Sequence, residues 1–158
     1  MMTLSEIMTE QPFTLGPDNS VKQAMDLMQQ ERIRHIPIVD EQQQLLGLVT
    51  LTDILATRES KLLLIDPERE AEFTDSVRLE EIMTRKVASV SPHAGIKEAA
   101  LYLQRHKYGC LPVQDKGVLI GIVTESDLIA VAINLLELME ESEPPTSDSL
   151  DEGEWSRT

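Results

Sequence analysis

The chain has 158 residues, enough for one well-formed core, with a net charge of −14 and 41% hydrophobic content. That acidity argues against tight binding to nucleic acid or to an anionic membrane surface. A single cysteine, Cys110, rules out an intramolecular disulfide and fits a reducing, cytoplasmic compartment.

The opening Met1-Met2-Thr3-Leu4-Ser5-Glu6 has neither the basic nor the apolar region of a signal peptide. Ile7-Met8-Thr9 follows, and Phe13-Thr14-Leu15 reads as a short strand closed by Gly16-Pro17. Asp18-Asn19-Ser20 offers N-caps to a helix whose apolar face is Val21, Ala24, Met25, Leu27, Met28 and Ile33. A β-run, His35-Ile36-Pro37-Ile38-Val39, then turns through residues 41–44 into a second strand over residues 45–50. A second helix opens at Thr52-Asp53, whose side-chain oxygens suit the free N–H groups of a helix N-terminus, and is expected to run to about Leu64. After a turn at Asp66-Pro67, residues 68–73 can add one helical turn.

From Ile82 the same text begins again. Ile82-Met83-Thr84 matches Ile7-Met8-Thr9, Pro92 matches Pro17, Lys97 matches Lys22, Ala99 matches Ala24 and Pro112 matches Pro37, all at an offset of 75. One residue is lost in the turn after Asp115, so Thr124-Glu125-Ser126-Asp127 matches Thr50-Leu51-Thr52-Asp53 at 74. Val87-Ala88-Ser89-Val90 is the second copy's first strand, and its helix presents Ile96, Ala99, Ala100, Tyr102, Leu103 and Tyr108. The order is therefore β-α-β-β-α, twice. Three strands and two helices cannot cover both faces of a sheet, so the two α/β (α+β) copies are expected to pack sheet to sheet about an approximate two-fold axis. The expected divisions are a first repeat over 1–64, a connection over 65–76, a second repeat over 77–139 and an acidic, disordered tail over 140–158.

The pattern Ile-Met-Thr, strand and Pro, helix, hydrophobic-Pro-hydrophobic strand and Gly-h-h-Thr-x-x-Asp-h-h resembles the CBS domain, named for cystathionine β-synthase. The resemblance covers residues 3–137 and, with no catalytic or membrane segment beside it, implies a stand-alone tandem pair. It implies a pseudo-symmetric disc with two clefts between the repeats, often dimerised through its helices. It further implies an adenine-nucleotide site, as in AMP-activated kinase and inosine-monophosphate dehydrogenase.

The residues support that chemistry. A helix N-terminus gathers N–H donors and the positive end of the helix dipole, which suit phosphate, and Thr50 and Thr52 add hydroxyls. Asp53 is an acceptor able to take both hydroxyls of a ribose. Thr124, Ser126 and Asp127 offer the same types. In the family the Asp holds the ribose and the hydroxyls the phosphates. In the nucleotide-binding subunit of AMP-activated kinase, basic residues before the strand proline contact phosphate, a position that Arg34 and His35 match here. A family cleft pairs the Thr-x-x-Asp of one repeat with the Ile-Met-Thr segment of the other. The cleft of Asp53 would then receive Thr84, Arg85 and Lys86, and the cleft of Asp127 would receive Thr9, Glu10 and Gln11. On that reading the first cleft is basic and the second neutral to acidic.

The expected function is non-catalytic sensing of an adenine nucleotide, AMP first and ADP or ATP next, in a cytoplasmic homodimer that regulates another protein. A dimerisation or scaffold module with vestigial clefts is the alternative, as is an adenosyl ligand such as S-adenosylmethionine, against which Arg34 and His35 argue because that ligand carries no phosphate. Neither a metal-ligand spacing, a cofactor motif nor a catalytic triad stands out. His93 and His106 read as surface histidines, Met25 and Met28 as core, and Cys110 as an inert small hydrophobe. The stretch over residues 128–138 is too short and too interrupted, by Asn134 and Glu137, to span a bilayer. Its apolar load points instead to a dimer interface.

Overall fold

A computed structural model describes residues 1–62 and 67–143. The first copy holds strand β1 (Thr9–Glu10), helix α1 (Val21–Glu31), strands β2 (His35–Val39) and β3 (Leu45–Thr50) and helix α2 (Leu51–Leu62). Helices α3 (Pro67–Ser76) and α4 (Leu79–Ile82) lead to the second copy: α5 (Ile96–His106), β4 (Cys110–Asp115), β5 (Val118–Thr124) and α6 (Glu125–Ser142). This is the mixed α/β fold, two small sheets with helices, that the repeat predicts.

Local chemistry sets these boundaries. At the start of α1 the Ser20 hydroxyl accepts from the Gln23 N–H (3.2 Å) while the Gln23 side chain accepts from the Ser20 N–H (2.8 Å), satisfying two otherwise orphaned donors. The helix buries Val21, Ala24 and Met28 and ends at Arg32, in the left-handed region at φ 55°. Ile33, expected on the helical face, lies past that end; its N–H still reaches the Met28 carbonyl (3.0 Å). Helix α5 ends the same way at Lys107, φ 56°, with the Tyr108 N–H on the Leu103 carbonyl (3.2 Å). In the first hairpin Asp40 Oδ1 accepts from the N–H groups of Gln42 and Gln44, both at 2.9 Å. The second hairpin turns more tightly through Lys116 and Gly117, both at positive φ, which accommodates the missing residue.

Three expectations need correcting. The strands expected at residues 13–15 and 87–90 shrink to single parallel bridges, Leu15↔Ile38 and Val90↔Val113. Gly16-Pro17 and Ser91-Pro92 stop the pairing after one residue. The single helical turn expected over 68–73 is a full helix, α3, opened by Pro67, whose fixed φ and missing N–H suit the first helical position. Helix α6 also runs past the expected end of the second repeat, through Glu140 and Glu141 to Ser142. The tail expected to be disordered lies, from residue 144 onward, outside the described residues, as do residues 63–66 where α2 was expected to end.

A pairing that the alternation of residues does not reveal holds the copies together. β1 joins the second copy's sheet, with Thr9 opposite Ile122 and Glu10 opposite Gly121, giving the order β1-β5-β4. Reciprocally, Thr84 bridges Leu48 at the edge of the β2–β3 pair. The cores follow the exchange: Val77, Leu79 and Met83 pack with Ile36, Ile38, Val49 and Ile54, while Leu4 packs with Leu103, Leu111, Val113 and Val123. Each copy's opening segment therefore completes the other copy's core. The interlock also carries the segment after Thr84 past the end of β3.

Candidate functional site

Between the two copies lies a cleft of about 420 Å³, within the usual size of a small-molecule site. His35, at the start of β2, and Thr50, at the end of β3, are paired in register and stand at one wall. Thr52 and Asp53 come from the first turn of α2, and Thr84, Lys86, Val87 and Ala88 from the exchanged segment. Lys107, Tyr108, Gly109 and Cys110 close the far side.

The mouth of α2 is held by its own side chains. The Asp53 N–H donates to Thr50 Oγ1 (3.1 Å), and the Thr50 N–H donates to Asp53 Oδ2 (3.3 Å). Thr50 accepts here, so its hydroxyl proton stays available to a ligand, as does Asp53 Oδ1. In the second copy the Thr124 hydroxyl itself donates to Asp127 Oδ2 (3.2 Å), beside the Thr124 N–H at 2.8 Å. The second junction thus spends internally a donor that the first keeps free.

His35, Thr50, Thr52, Asp53, Thr84 and Lys86 are brought together as the sequence anticipates. Arg34 is not. It lines a separate groove with Arg32, Ile33, Leu51, Leu55 and Arg58. Its carbonyl accepts the Leu51 N–H (2.9 Å), and alternation at the strand start sends its side chain opposite to that of His35. Arg85 also turns away, donating to the Glu80 carbonyl (3.0 Å). Thr124, Ser126 and Asp127 stand at the start of α6, and Thr9 pairs with Ile122 of β5; the shallow groove that Glu10 and Gln11 border with Pro12, Gln43 and Leu119 is lined by none of these four. His93 and His106 are exposed, Met28 is in the core and Met25 packs against it.

Lys107, Tyr108 and Gly109 are the lining residues that sequence reasoning overlooks. They follow the left-handed end of α5, which throws the chain from the helix toward the cleft before β4 begins. Lys86 and Lys107 face one carboxylate, Asp53, so the cleft is basic in a protein of net charge −14. Gly109 sits so close to His35 that a Cβ there would lie 2.6 Å from Nε2. Burial lowers the pKa of His35 below the ordinary histidine value; Glu125 and Asp53 oppose the shift and Arg34 adds to it. That lowered value favours the neutral imidazole, a hydrogen-bonding partner rather than a fixed charge. Burial pushes the Cys110 thiol up to about 12, which makes it the inert hydrophobe its setting implies. Among the described residues no group of His, Cys, Asp and Glu could hold a metal, and no helix is long and apolar enough to cross a membrane.

Comparison with known proteins agrees with this geometry. The chain is 46% identical to a Vibrio cholerae protein provisionally named for acetoin utilization (AcuB), with a TM-score of 0.79 over 89% of this chain and 98% of that one. It superimposes with a TM-score of 0.73 on CBSX2 in complex with AMP, at 26% identity over 86% of this chain and 99% of that one. With the CBS domain pair of protein MJ0100, in complex with 5′-methylthioadenosine and S-adenosyl-L-methionine, the TM-score is 0.72 at 25% identity over 85% and 98%. Two homoserine O-acetyltransferases match over 23% and 24% of their length, so there the resemblance covers one module of a larger enzyme. The family model for the CBS domain matches residues 4–59 and again residues 79–134, and the chain belongs to that family as two CBS domains in tandem.

Proposed function

We propose that this protein is a non-catalytic sensor of adenine nucleotides, AMP first and ADP or ATP next, acting in the cytoplasm through the cleft of Asp53. The observation that carries the reading is one acceptor carboxylate beside two lysines, a helix N-terminus and free hydroxyls in a single cleft. Asp53 takes the ribose hydroxyls; Thr50, Thr52, Thr84 and Lys86 take the phosphate, with Lys107 across from them and His35 able to gain a proton beside an anion. Thr9, Thr124, Ser126 and Asp127 form a second, weaker site. Because the cleft is walled by both copies, occupancy shifts the population of their relative packing, and a regulated protein reads that shift.

A second reading has specific support: MJ0100 binds an adenosyl ligand without phosphate. Two lysines oppose the sulfonium charge of S-adenosylmethionine, so phosphate-bearing ligands are favoured here. Thermal denaturation with AMP, ADP, ATP and S-adenosylmethionine separates the cases. A true ligand at 100 times its Kd adds about 2.7 kcal/mol of stability, a plainly visible shift. Stabilisation by S-adenosylmethionine alone overturns the phosphate assignment, and stabilisation by none favours a scaffold module.

The unit that responds is proposed to be a homodimer. Helix α6 buries none of its residues, and Ile129, Leu136 and Leu138 are 59%, 57% and 62% exposed. So large an apolar surface on one helix calls for a partner, and an identical copy supplies a self-complementary one. Sedimentation should give a dimer at micromolar concentration, and the double variant Ile129→Glu/Leu136→Glu a monomer with unchanged helical content. A monomeric wild type ends this part of the reading.

A further inference from the structure

Acids outnumber bases 28 to 14 in this chain, so a surface cation has carboxylates within easy reach. Arg78 pairs with Asp18 at 3.0 Å, and Lys22 with Asp75 at 3.8 Å. Arg32 and Arg34 differ. Both are exposed, neither makes an ion pair among the described residues, and both stand at the rim of one groove of about 570 Å³.

The groove lies between α1 and α2. Met25, Ile33, Leu51 and the 43%-exposed Leu55 give it an apolar floor, and Asp26 is the one acid among its lining residues. Arg32 occupies the left-handed end of α1, and the Arg34 carbonyl two residues on accepts the Leu51 N–H (2.9 Å), which ties this turn to the start of α2. At the offset of 75 the places of Arg32 and Arg34 are taken by Lys107 and Gly109, so the pair of guanidinium groups belongs to the first copy alone. An apolar floor rimmed by arginines fits a short segment that carries large apolar side chains among acids.

The chain carries such a segment. Residues 144–158, outside the described residues, hold Asp148, Asp151, Glu152 and Glu154 against the single base Arg157, and their only large apolar side chains are Leu150 and Trp155. The extended chain from Glu143 to Trp155 covers about 40 Å, and a domain of this size has a radius of gyration of about 15 Å, so the tail is long enough to cross the molecule. Helix α6 offers the competing apolar surface, but Glu137, Glu140 and Glu141 lie on it and repel an acidic chain. We propose that the acidic tail docks in the groove of its own chain, with Trp155 on the apolar floor and the tail carboxylates at Arg32 and Arg34. The tryptophan ring gains further from a guanidinium over its face. This contact does not depend on what fills the Asp53 cleft, and an acidic partner reaches the groove only by displacing the tail.

Trp155 is the only tryptophan, so its fluorescence in the full chain reports the contact directly. Its emission should lie to the blue of N-acetyltryptophanamide and its quenching by acrylamide should be weaker. Both signs of protection should fade in 1 M salt, where the screening length is about 3 Å. Arg32→Glu/Arg34→Glu should abolish the protection, and so should Asp151→Lys/Glu152→Lys/Glu154→Lys, which changes no described residue. Combining the two sets of substitutions should restore it, because the charges then match again. A nitroxide on Ser156→Cys, selective because Cys110 is buried, should broaden the amide signals of Ile33 and Leu55 in the same chain. Wild-type Trp155 as accessible as N-acetyltryptophanamide, or combined variants that stay unprotected, overturns the inference. Broadening of Ile33 and Leu55 in an isotope-labelled chain mixed with a spin-labelled one also overturns it, since the tail then docks on another copy.

Discussion

Asp53→Ala should weaken AMP about 10- to 100-fold, because hydrogen bonds to a charged acceptor contribute roughly 1.5–3 kcal/mol. The substitution also removes the cap on the Thr50 N–H, a 3.3 Å bond, at a cost of about 1 kcal/mol to the start of α2. A melting curve separates that local loss from the loss of the ribose acceptor. Asp127→Ala should change AMP affinity less at low nucleotide concentration, since the Thr124 hydroxyl is already spent on Asp127. Arg34→Ala should change AMP affinity far less than Asp53→Ala, because that side chain lines the groove beside α2 and acts on the cleft only through its charge on His35. Calorimetry on the three variants decides the ranking: equal losses from Asp53→Ala and Asp127→Ala would show that the clefts are equivalent.

The ranking stands on different residues from those that first suggested it. The repeat, the His-h-Pro-h strand and the Thr-x-x-Asp at a strand–helix junction are local signals, and each marks its element correctly. What a local signal does not say is which copy walls which cleft. Arg34 and Gly109 are equivalent in the repeat, and Gly109 lines the cleft whose Thr-x-x-Asp belongs to the other copy. Arg32 and Arg34 instead line the groove beside α2, which leaves the basic side of the Asp53 cleft to Lys86 and Lys107. The signal for Lys107 was present, a residue just past the end of an amphipathic helix. Its direction depends on the left-handed turn at φ 56°, a conformation that a lysine's sequence context does not announce. Strand β1 escaped for a similar reason. Two residues carry no alternation, and Thr9–Glu10 is a strand only because β5 offers it an edge. Tyr108 was expected on the apolar face of its helix, but it lies past the left-handed end of α5 and lines the cleft.

Gly47→Ala should destabilise the fold by about 2–4 kcal/mol and loosen the cleft in the same step. Gly47 lies in β3 opposite the exchanged segment, and a Cβ built on it would stand 2.6 Å from Met83 Sδ and 2.8 Å from the Thr84 carbonyl oxygen. The sulfur end of Met83 can move, but the Thr84 carbonyl is backbone: it accepts from the Leu48 N–H while the Thr84 N–H donates to the Leu48 carbonyl, both at 2.9 Å. Room for one methyl group therefore comes from stretching those bonds or from shifting Thr84 outward. Either route carries Thr84 and Lys86, two lining residues, away from Thr50 and Asp53. Gly121 has the same relation to Met8 and Thr9 in the second copy, but there the Thr9 carbonyl is 3.1 Å away, a contact that a small adjustment relieves. Gly121→Ala should thus cost less, and Gly16→Ala, whose Cβ meets nothing closer than Asn19 at 3.5 Å, should be near neutral. In melting experiments the first variant should lose roughly 10 °C and the third almost nothing. Calorimetry should show weaker AMP binding for Gly47→Ala even at temperatures where it remains fully folded. A Gly47→Ala protein as stable as Gly16→Ala would mean that the exchanged segments are not what clamps the two copies together.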